Sequence, residues 1–490
     1  MKKGMKRRTK IVATLGPRSD DPKMLDKMIE AGMDVARLNF SHDPYEMHKT
    51  RAETVRNRAR AHGRQVGVVV DLQGPKIRVD AFETGSVELY DGDNFILDAN
   101  HDPELGNTER VGIAYKELPN DVQRGDTLLL NDGRIVLWVE EVAGSEIRCR
   151  VTVGGELSNR KGINKQGGGL SAPALTDKDK ADIISAAKLD ADYLAVSFVR
   201  NADDVHEARR LFREAGGKGG IIAKVERAEA MNVLDEIIEA SDSIMVARGD
   251  LGVEIGDEAL PPVQKMMIAK ARTMNRTVIT ATQMMESMIE SPIPTRAEVF
   301  DVANAVLDGT DAVMLSAETA VGKYPDKVIA AMDRICRGVE EQRAVTKSDH
   351  RIDTQFTDTD EAIAMASMYT ANHLGVKAIA ALTESGSTTL WMSRISSGIP
   401  IYAMTRRVDT RRKVTLYRGV YPVSFELTSE DHAQVNKDAI DELVRRGAVR
   451  DGDLVIITKG DLMGRHGGTN AMKIVEVGNM PDPEEQTGIE

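Results

Sequence analysis

Short runs of β-branched and apolar residues alternate with longer amphipathic stretches along most of the chain. This alternation is typical of repeated strand–helix units arranged around a parallel sheet. Eight such units predict a TIM barrel, an α/β fold whose chemistry lies at the carboxyl ends of its strands. The predicted barrel strands are residues 10–16, 35–40, 66–72, 193–199, 221–225, 244–247, 277–281 and 312–315.

The hydrophobic period changes between residues 78 and 162, where strand-like runs are separated by tight turns. At the clearest of these turns, Asn131-Asp132-Gly133 separates two apolar runs. The Asp-Gly pair supplies the positive φ that a hairpin turn needs. This part of the chain therefore predicts an all-β domain inserted into the barrel.

A polar segment at residues 346–360 follows the last predicted barrel strand and marks a domain boundary. The strand-and-helix alternation beyond it predicts a smaller open α/β domain, with a helix at 361–374 and strands near 377–382, 399–404, 420 and 454–458. The predicted domains are the first part of the barrel (1–72), the inserted β domain (73–170), the second part of the barrel (171–345) and the C-terminal α/β domain (346–490).

Composition excludes several classes of protein. The 490-residue chain has 65 Lys and Arg against 77 Asp and Glu, a net charge of −12, so we expect no nucleic-acid partner. Its only cysteines, Cys149 and Cys336, are too far apart for a disulfide framework or a zinc ribbon. No apolar run approaches the roughly 18 residues of a membrane span. These features predict a protein of the reducing cytoplasm without a membrane partner.

Common nucleotide-binding and hydrolase motifs are absent: the sequence has no Walker A loop, no Gly-x-Gly-x-x-Gly after a strand, no His-Glu-x-x-His and no Gly-x-Ser-x-Gly. Instead, a polar or charged residue lies at the carboxyl end of nearly every predicted barrel strand. Any single one could merely cap the next helix, but together they predict an active site at the barrel mouth. They are Arg37, Asn39, Ser41, Asp71, Ser197, Lys224, Glu226, Arg248, Asp250, Thr280, Thr282, Ser316 and Glu318.

Two of these residues, Glu226 and Asp250, are carboxylates from neighbouring strands, which suits Mg²⁺ because that ion prefers oxygen ligands. The Lys224 ammonium and a nearby arginine suit a phosphate. This is the equipment of phosphoryl transfer, in which catalysis is mostly positioning and neutralisation of charge. Gly249, beside Asp250, permits close approach of the backbone to a ligand. A purely structural ion pair between Lys224 and Glu226 is the alternative interpretation.

The predicted strand ends lie in six segments that resemble, in order, the signatures of the pyruvate kinase family. The variants Leu72, Gln73 and Lys76 resemble a bacterial branch of that family. The resemblance implies a lid domain inserted after the third strand, a C-terminal effector domain and a homotetramer. The segments are Arg-Leu-Asn-Phe-Ser-His at 37–42, Asp-Leu-Gln-Gly-Pro-Lys-Ile-Arg at 71–78, Ala-Lys-Val-Glu at 223–226, Met-Val-Ala-Arg-Gly-Asp-Leu-Gly at 245–252, Ile-Thr-Ala-Thr-Gln-Met-Met-Glu-Ser-Met at 279–288 and Met-Leu-Ser-Ala-Glu-Thr at 314–319.

The resemblance also implies a glycolytic reaction. The phosphoryl group of phosphoenolpyruvate passes to ADP, which gives ATP and an enolate that is protonated to pyruvate. Lys224 would neutralise the phosphoryl group in transit, Arg37 would clamp it, and Thr282 would help to deliver the proton through water. The residues implied to bind the substrate are Arg37, Lys224, Gly249, Asp250 and Thr282.

The resemblance implies three metal ions, two Mg²⁺ and one K⁺. Glu226 and Asp250 would hold Mg²⁺, for which Mn²⁺ can substitute, and a second Mg²⁺ would arrive with the nucleotide. Many members of the family also need K⁺, held beside a glutamate where this chain has Lys76. The Lys76 ammonium could neutralise the Asp71 side of the site, so we expect K⁺ not to be required; in the alternative, Lys76 points to solvent and K⁺ binds. The implied ligands of K⁺ are Asn39, Ser41, Asp71 and the backbone carbonyl of Leu72.

Nucleotide contacts are implied on both strands of the hinge into the inserted domain. Arg78 and Lys161 would close over the phosphates of ADP or ATP, with Asn39 and His42 below them. For Lys161, a solvated basic loop is the alternative interpretation.

A phosphorylated effector is implied in the last domain, where the strand at 377–382 leads into Thr383-Glu-Ser-Gly-Ser-Thr-Thr389 and a helix. Hydroxyls and backbone N–H groups at a helix start form an anion site, although ordinary capping is the alternative. The family places an allosteric phosphate in the matching loop, which implies activation by AMP or a sugar monophosphate beneath the Gly-rich loop at 459–469. The expected contacts are Thr383, Ser385, Ser387 and Thr388.

Two other functions remain open at this point. One is another phosphoenolpyruvate-using barrel enzyme, such as a mutase or a dikinase partner domain; a dikinase needs a phosphorylatable histidine, and His42, followed by Asp-Pro, lacks a supporting context. The other is a non-catalytic sugar-phosphate sensor. Retention of Lys224, Glu226, Asp250 and Thr282 argues against that sensor.

Overall fold

The structure, a computed structural model, describes residues 6–342, 355–429, 431–461 and 468–479. All five residues of the third strand, Gly-Val-Val-Val-Asp, are buried, as expected for a strand covered on both faces. The first part of the barrel comprises β1 (Lys10–Thr14), α1 (Pro22–Ala31), β2 (Val35–Asn39), α2 (Tyr45–Ala61) and β3 (Gly67–Asp71).

A β domain follows β3 and contains eight strands and one short helix. They are β4 (Ser86–Leu89), β5 (Asn94–Asp98), β6 (Arg110–Gly112), α3 (Leu118–Asp121), β7 (Thr127–Leu130), β8 (Ile135–Ala143), β9 (Glu146–Val153), β10 (Gly155–Ser158) and β11 (Ile163–Lys165). Six strands form one sheet in the order β11–β7–β8–β9–β5–β6, and β4 pairs with β10. The predicted hairpin is confirmed, because β7 and β8 pair antiparallel around Asn131, Asp132 and Gly133, with φ of 52°, 57° and 83°.

The barrel then resumes with alternating helices and strands. They are α4 (Asp177–Lys188), β12 (Tyr193–Val196), α5 (Ala202–Glu214), β13 (Gly220–Val225), α6 (Leu234–Ala240), β14 (Ser243–Ala247), α7 (Arg248–Ile255), α8 (Leu260–Thr273), β15 (Thr277–Ala281), α9 (Arg296–Asp308), β16 (Ala312–Leu315), α10 (Ala317–Ala320) and α11 (Pro325–Glu340).

Eight parallel strands close the barrel in the order β1–β16–β15–β14–β13–β12–β3–β2. Successive residues of a strand point to opposite faces of the sheet. Val12 lies in one buried cluster with Val35, whereas Ile11 and Ala13 lie in another cluster that includes residues of the barrel helices. Since the strands run in one direction, their carboxyl ends meet at a single mouth. The predicted TIM barrel is confirmed.

In its described residues, the C-terminal domain is an open five-stranded sheet with four helices, which confirms the predicted α/β architecture. Its elements are α12 (Thr359–Leu374), β17 (Ala378–Leu382), α13 (Ser387–Arg394), β18 (Ile401–Thr405), α14 (Val408–Lys413), β19 (Val420–Ser424), α15 (His432–Arg445), β20 (Leu454–Lys459) and β21 (Ala471–Glu476). The sheet order is β19–β18–β17–β20–β21, with only β21 antiparallel. The sequence prediction missed β21, because this edge strand is mostly exposed and lacks a continuous apolar run.

Some predicted features lie outside the described residues: much of the polar segment at 346–360 and the middle of the Gly-rich loop at 459–469. Cys149 and Cys336 are buried and have free thiols. Within the part of the chain that the structure describes, no helix combines the length and apolar character needed to cross a membrane. The domain boundaries at 72, 170 and 345 stay predictions.

Candidate active site

Four charged side chains meet inside the barrel mouth. Lys224, on β13, has its Nζ 3.2 Å from Asp71 Oδ1 and 3.0 Å from Glu226 Oε1, and it donates to Ser197 Oγ at 2.7 Å. Arg37, on β2, holds the other oxygen of Asp71, with its Nε 2.6 Å from Oδ2. The ion pair between Lys224 and Glu226 therefore does form, but within a larger charged cluster at the open end of the barrel.

The cluster stays ionised at its centre although it is buried. Burial opposes ionisation of Asp71, but the charges of Lys224 and Arg37 outweigh it and hold the pKa of this carboxyl below its ordinary value. Burial alone would lower the pKa of Lys224, but Asp71 and Glu226 outweigh it and raise that pKa. Lys224 is therefore a fixed positive charge at any physiological pH.

Glu226 and Asp250 form the oxygen-rich side of the cluster. Glu226 Oε2 accepts a hydrogen bond of 2.8 Å from the backbone N–H of Phe198, and Asp250 lies in the first turn of α7. Burial raises the pKa of Glu226, Lys224 opposes this shift, and the charge of Asp250 adds to it. The two carboxylates thus repel each other, and a cation between them would relieve that repulsion.

The residues present fit Mg²⁺. This ion commonly uses one or two carboxylates and completes its shell with water and substrate oxygens. Within the described ranges, no group of three or more His, Cys, Asp and Glu side chains forms a complete metal cage. Glu226 and Asp250 together suit a site that the substrate completes.

Thr282 follows β15 in an unfavourable backbone conformation. Its φ is 67°, and Phe198, after β12, has φ of 53°; both values are uncommon for residues other than glycine. Strain of this kind costs on the order of 1–3 kcal/mol and clusters at functional sites. The Thr282 hydroxyl donates to the carbonyl of Ala281 at 2.6 Å and accepts from the N–H of Gly249 at 2.8 Å, so it joins the end of β15 to the start of α7.

Gly249 packs loosely within the chain. A Cβ added there would meet nothing nearer than Thr282 Oγ1, at 3.5 Å, which is an ordinary contact. Protein packing alone therefore does not require glycine at this position, in keeping with the prediction that a ligand approaches the backbone.

Two supporting residues have roles that the sequence prediction missed. Arg248 is buried and binds Asp301 of α9 through two nitrogens, at 2.6 and 2.8 Å, and also donates to the carbonyl of Thr282 at 2.6 Å. Glu318 accepts from the N–H groups of Met285 and Ser316, at 3.2 and 2.7 Å. Both side chains hold the loops after β15 and β16, and Arg248 is therefore committed to the protein rather than to a phosphate.

Lys76 lies in a different place from the one predicted. Its Nζ lies 3.0 Å from Asp250 Oδ1 and 3.9 Å from Asp132 Oδ1, whereas Arg37 and Lys224 neutralise Asp71. The prediction that Lys76 neutralises the Asp71 side is wrong, and so is the alternative that it points to solvent. The reason is geometric: the chain turns away from the barrel after β3, which carries Lys76 towards α7.

A cavity of about 390 Å³ opens between the inserted domain and the barrel mouth. Gly249, Asp250 and Thr282 line it from the barrel, and Asp132 and Arg134 line it from the β7–β8 hairpin. The sequence prediction used the hairpin only as a turn signal and missed that its tip covers the site. Six predicted site residues thus share one cleft, namely Arg248, Gly249, Asp250, Thr282, Ser316 and Glu318.

Comparison with known proteins agrees with this geometry. Residues 6–329 match the family model described as the pyruvate kinase barrel domain, and residues 361–475 match the pyruvate kinase alpha/beta domain. The chain belongs to the pyruvate kinase family. This confirms the resemblance, and the predicted function and enzyme class, pyruvate kinase, are supported over the sensor and the other barrel enzymes.

Individual relatives in this family are similar over nearly the whole chain. Pyruvate kinase II of Salmonella typhimurium is 58% identical over 475 residues, which are 96% of this chain and 99% of the relative. A pyruvate kinase of Haemophilus influenzae is 54% identical over 93% of this chain and 96% of its own. One from Sporosarcina psychrophila is 42% identical over 97% of this chain and 81% of its own. The similarity to bacterial members is as predicted.

The four residues predicted to bind the nucleotide form two separate pairs. Arg78 donates to the carbonyl of Arg160 at 2.9 Å, next to Lys161, at the hinge into the inserted domain. Asn39 Oδ1 accepts from the N–H of Ser41 at 3.2 Å, and His42 is exposed beyond it. Across residues 6–342, no hydrogen bond or ion pair joins one pair to the other, and their nucleotide role stays a prediction.

The loop predicted to bind an effector links β17 to α13. Its hydroxyls bond to one another and to the loop backbone: Ser385 Oγ lies 3.0 Å from Ser387 Oγ, and Thr383 Oγ1 accepts from the N–H of Gly386 at 2.9 Å. Thr388 is buried and its hydroxyl lies 2.9 Å from that of Thr469. The described end of the Gly-rich loop is thus in contact with this segment.

Proposed function

We propose that this chain transfers the phosphoryl group of phosphoenolpyruvate to ADP and so produces pyruvate and ATP. The observation that carries the proposal is the position of Lys224, whose ammonium lies among Asp71, Glu226 and Ser197 at the barrel mouth. Relatives named pyruvate kinase, 54–58% identical over nearly the full chain, support the same activity.

Lys224 and Arg37 supply the positive charge for the phosphoryl group. Because Lys224 is ionised and held by three oxygen acceptors, it needs no reorganisation when charge moves onto the equatorial oxygens of the transferring group. Arg37, fixed by Asp71 and by the Thr14 hydroxyl at 2.9 Å, presents its remaining N–H groups to the same phosphate.

Thr282 completes the reaction at the enolate. Its hydroxyl lies at the edge of the cleft and, through water, helps to deliver a proton to the enol carbon. The strained backbone at Thr282 and its bond to Gly249 fix this hydroxyl next to the carboxylates. Glu226 and Asp250 would hold Mg²⁺, which, when bound, offsets the charge of the substrate's phosphate and carboxylate groups.

Enzymes of this family generally depend on Mg²⁺ and K⁺. In this chain the Lys76 ammonium lies at Asp250, on the cleft side of the cluster, and provides one fixed positive charge there. We therefore keep the proposal that added K⁺ is not required, with Asn39, Ser41, Asp71 and Leu72 as the ligand set if K⁺ binds.

Nucleotide, effector and subunit contacts complete the proposal. ADP contacts Arg78, Lys161, Asn39 and His42. The effector, AMP or a sugar monophosphate that activates the enzyme, binds the loop of Thr383, Ser385, Ser387 and Thr388. This regulation would be refuted if a panel of phosphorylated metabolites left the saturation curves for phosphoenolpyruvate unchanged.

The chain also forms a homotetramer in this proposal. The subunit contacts would cover large apolar side chains on or beside α9, namely Ile293 and Phe300, each 70% exposed.

The direct test is a lactate dehydrogenase-coupled assay of the purified full-length chain with phosphoenolpyruvate, ADP and Mg²⁺. We expect pyruvate to form in proportion to the ADP supplied, and none to form without ADP. Binding of sugar phosphates without turnover would favour a sensor instead. Consumption of phosphoenolpyruvate without ADP would favour another barrel enzyme. The predicted cytoplasmic location stays a prediction.

A further inference from the structure

The chain comes back from the inserted domain to the barrel through residues 167–172, which we call the return segment. It begins with Gly167, Gly168 and Gly169, whose φ values are 83°, 78° and 89°, a conformation that glycine adopts without the steric cost other residues carry. Leu170 and Ala172 are then buried in the same apolar cluster as the strands of the inserted domain. The return segment is therefore packed into the core of that domain.

A buried arginine of the barrel holds the return segment. Arg227 follows β13 and is 3% exposed. Its guanidinium donates to the carbonyl of Leu170 at 2.7 Å and to that of Ala172 at 3.1 Å. The guanidinium carbon also lies 5.7 Å from the centre of the Phe198 ring, within the range of a cation–π contact. The barrel thus binds the backbone of two residues whose side chains lie in the core of the inserted domain.

The residues around this arginine add further contacts with the return segment. The N–H of Gly169 donates to Glu229 Oε2 at 3.3 Å, and a Cβ added at Gly168 would collide with the same oxygen. The backbone carbonyl of Glu254, on α7, accepts from the N–H of Gly167 at 2.9 Å. The end of β13 and the return segment therefore form a continuous, close contact.

This contact begins one residue after a proposed metal ligand. Glu226 points into the barrel mouth, where it accepts from the N–H of Phe198 at 2.8 Å, whereas Arg227 points the opposite way, as successive residues of an extended chain do. The other proposed ligand, Asp250, is linked to the outgoing connection, because Lys76 Nζ lies 3.0 Å from its Oδ1. Each of the two carboxylates is thus attached to one of the two connections with the inserted domain.

We propose that Arg227 is a positioning residue: by binding the return segment, it fixes Glu226 for the metal ion and couples cation binding at the mouth to the inserted domain. The proposal rests on the proposed function, in which Glu226 and Asp250 hold Mg²⁺. An arginine suits this task because its fork of N–H groups binds two carbonyls at once. Since coupling between two sites is reciprocal in binding free energy, the metal ion should also restrain the return segment.

The first experiment measures binding of Mn²⁺ alone to the full-length chain by electron paramagnetic resonance, which needs no turnover. Arg227→Met keeps a long apolar side chain and removes the donors. We expect its Kd for Mn²⁺ to be about tenfold higher than that of wild type, and Arg227→Lys to recover part of this loss.

The matched control for this measurement is Arg56→Met. It also removes an arginine that donates to two carbonyls, those of Leu189 and Asp190 at 2.7 and 2.6 Å, but in the loop before β12. Its Kd for Mn²⁺ should stay within about twofold of wild type. An unchanged Kd in Arg227→Met, or an equal change in the control, would overturn the proposal.

A second experiment follows the return segment itself by hydrogen exchange and mass spectrometry. In wild type, Mn²⁺ at a saturating concentration should slow exchange of the peptide that contains residues 167–172 by about threefold or more. In Arg227→Met, saturated with Mn²⁺ in the same way, this difference should disappear. A role confined to stability would speed exchange equally with and without Mn²⁺ and leave the effect of the metal in place, which would contradict the proposal.

Gly168→Ala tests the same contact from the other side and serves if Arg227→Met does not fold. The added Cβ would push against Glu229, two residues after Arg227, so Mn²⁺ binding should weaken. Gly167→Ala is its control, because Gly167 also has a positive φ but an added Cβ there would meet nothing within 4 Å. Equal Kd values for Mn²⁺ in these two alanine variants would refute the coupling.

Failure of the proposed function is a separate result, because wild-type protein would then show no ADP-dependent pyruvate formation at all. If wild type is active and Arg227→Met binds Mn²⁺ as tightly as wild type does, only this inference fails.

Discussion

Buried charges lie at both ends of the barrel, and their surroundings differ. At the mouth, Lys224, Asp71 and Glu226 form a cluster beside a cleft. At the opposite end, Arg394 of the C-terminal domain and Asp311, just before β16, form an ion pair in which both side chains are about 1% exposed. Asp311 also accepts from the N–H of Val278 on β15 at 3.0 Å.

The charges at the lower end are matched to fixed partners from both domains. Arg394 also donates to the carbonyl of Arg276 at 2.7 Å, and Glu340 accepts from the N–H groups of Arg8 and Thr9 at 2.7 and 2.6 Å. At the mouth, two carboxylates repel each other and the backbone is strained at Thr282. Burial of a charge therefore does not by itself identify an active site; repulsion, strain and an adjoining cleft do.

Removal of the arginine at the lower end should produce the largest effect, and it should act on stability. Arg394→Ala leaves Asp311 buried without its main partner, and we expect a loss of about 3–5 kcal/mol in the free energy of unfolding. Chemical denaturation followed by fluorescence checks this value. The control is Arg407→Ala, which breaks an exposed pair with Asp409 and should cost less than about 1 kcal/mol. Similar losses in both variants would contradict the contrast.

Removal of the lysine at the mouth should act on the reaction instead. Lys224→Ala removes a charge that acts mainly while the phosphoryl group is in transit. The activation free energy should therefore rise by on the order of 3 kcal/mol, and kcat should fall about a hundredfold or more. Binding of phosphoenolpyruvate should weaken far less. Lys270→Ala, which removes an exposed lysine on α8 paired with Asp235, is the control. A kcat within threefold of wild type would contradict the role of Lys224 in phosphoryl transfer.

Titration of Glu254 should make the stability of the protein depend on pH. Glu254 is buried on α7 and accepts from the N–H of Ala228 at 2.8 Å. Burial is the main cause that raises the pKa of Glu254 from 4.5 to about 7. The folded chain therefore holds a proton that the unfolded chain releases, and stability should fall as pH rises from about 4.5 to 7 and stay lower above that.

Glu254→Gln keeps the shape of the side chain and removes its ionisable carboxyl group. We expect its free energy of unfolding to exceed that of wild type by on the order of 1–3 kcal/mol at pH 8, with a gap that narrows towards pH 5. Urea midpoints at several pH values measure this gap. Glu258→Gln, at an exposed position nearby, should show no such trend. A constant difference at all pH values would show that Glu254 does not titrate in this range.

Lys76 tests whether one fixed charge at the mouth replaces a diffusible ion. We expect substantial activity in K⁺-free buffer with a tetraalkylammonium counterion, because Arg37 and Lys224 already neutralise Asp71 and the Lys76 ammonium adds a fixed positive charge at Asp250. Lys76→Glu should make activity depend on added K⁺ by about tenfold or more, roughly 1.4 kcal/mol. Lys116→Glu, which alters an exposed lysine of the inserted domain, is the control. Strict K⁺ dependence of wild type would show that Lys76 does not substitute for K⁺.

The sequence by itself determined the barrel, the hairpin turn and the chemical character of the strand ends. These features are local: strand and helix periods are properties of short windows, Arg37 and Lys224 lie on their strands, and Glu226 and Thr282 follow theirs directly in sequence. Parallel closure then brings all strand ends to one mouth, which is why the charged cluster could be predicted from strand order alone. The edge strand β21 was not predicted because it is mostly exposed and has no strong hydrophobic pattern.

Tertiary structure alone decided which partners the charged groups have. Lys76 lies at Asp250 rather than at Asp71, and Arg248 is held by Asp301 of a later helix. Arg134 reaches the cleft because the inserted domain lies over the mouth, and Arg394 meets Asp311 because the C-terminal domain packs below the barrel. Each pair joins residues far apart in sequence, and its geometry depends on how whole domains are oriented. No local pattern encodes that orientation, because it results from the sum of many weak packing contacts.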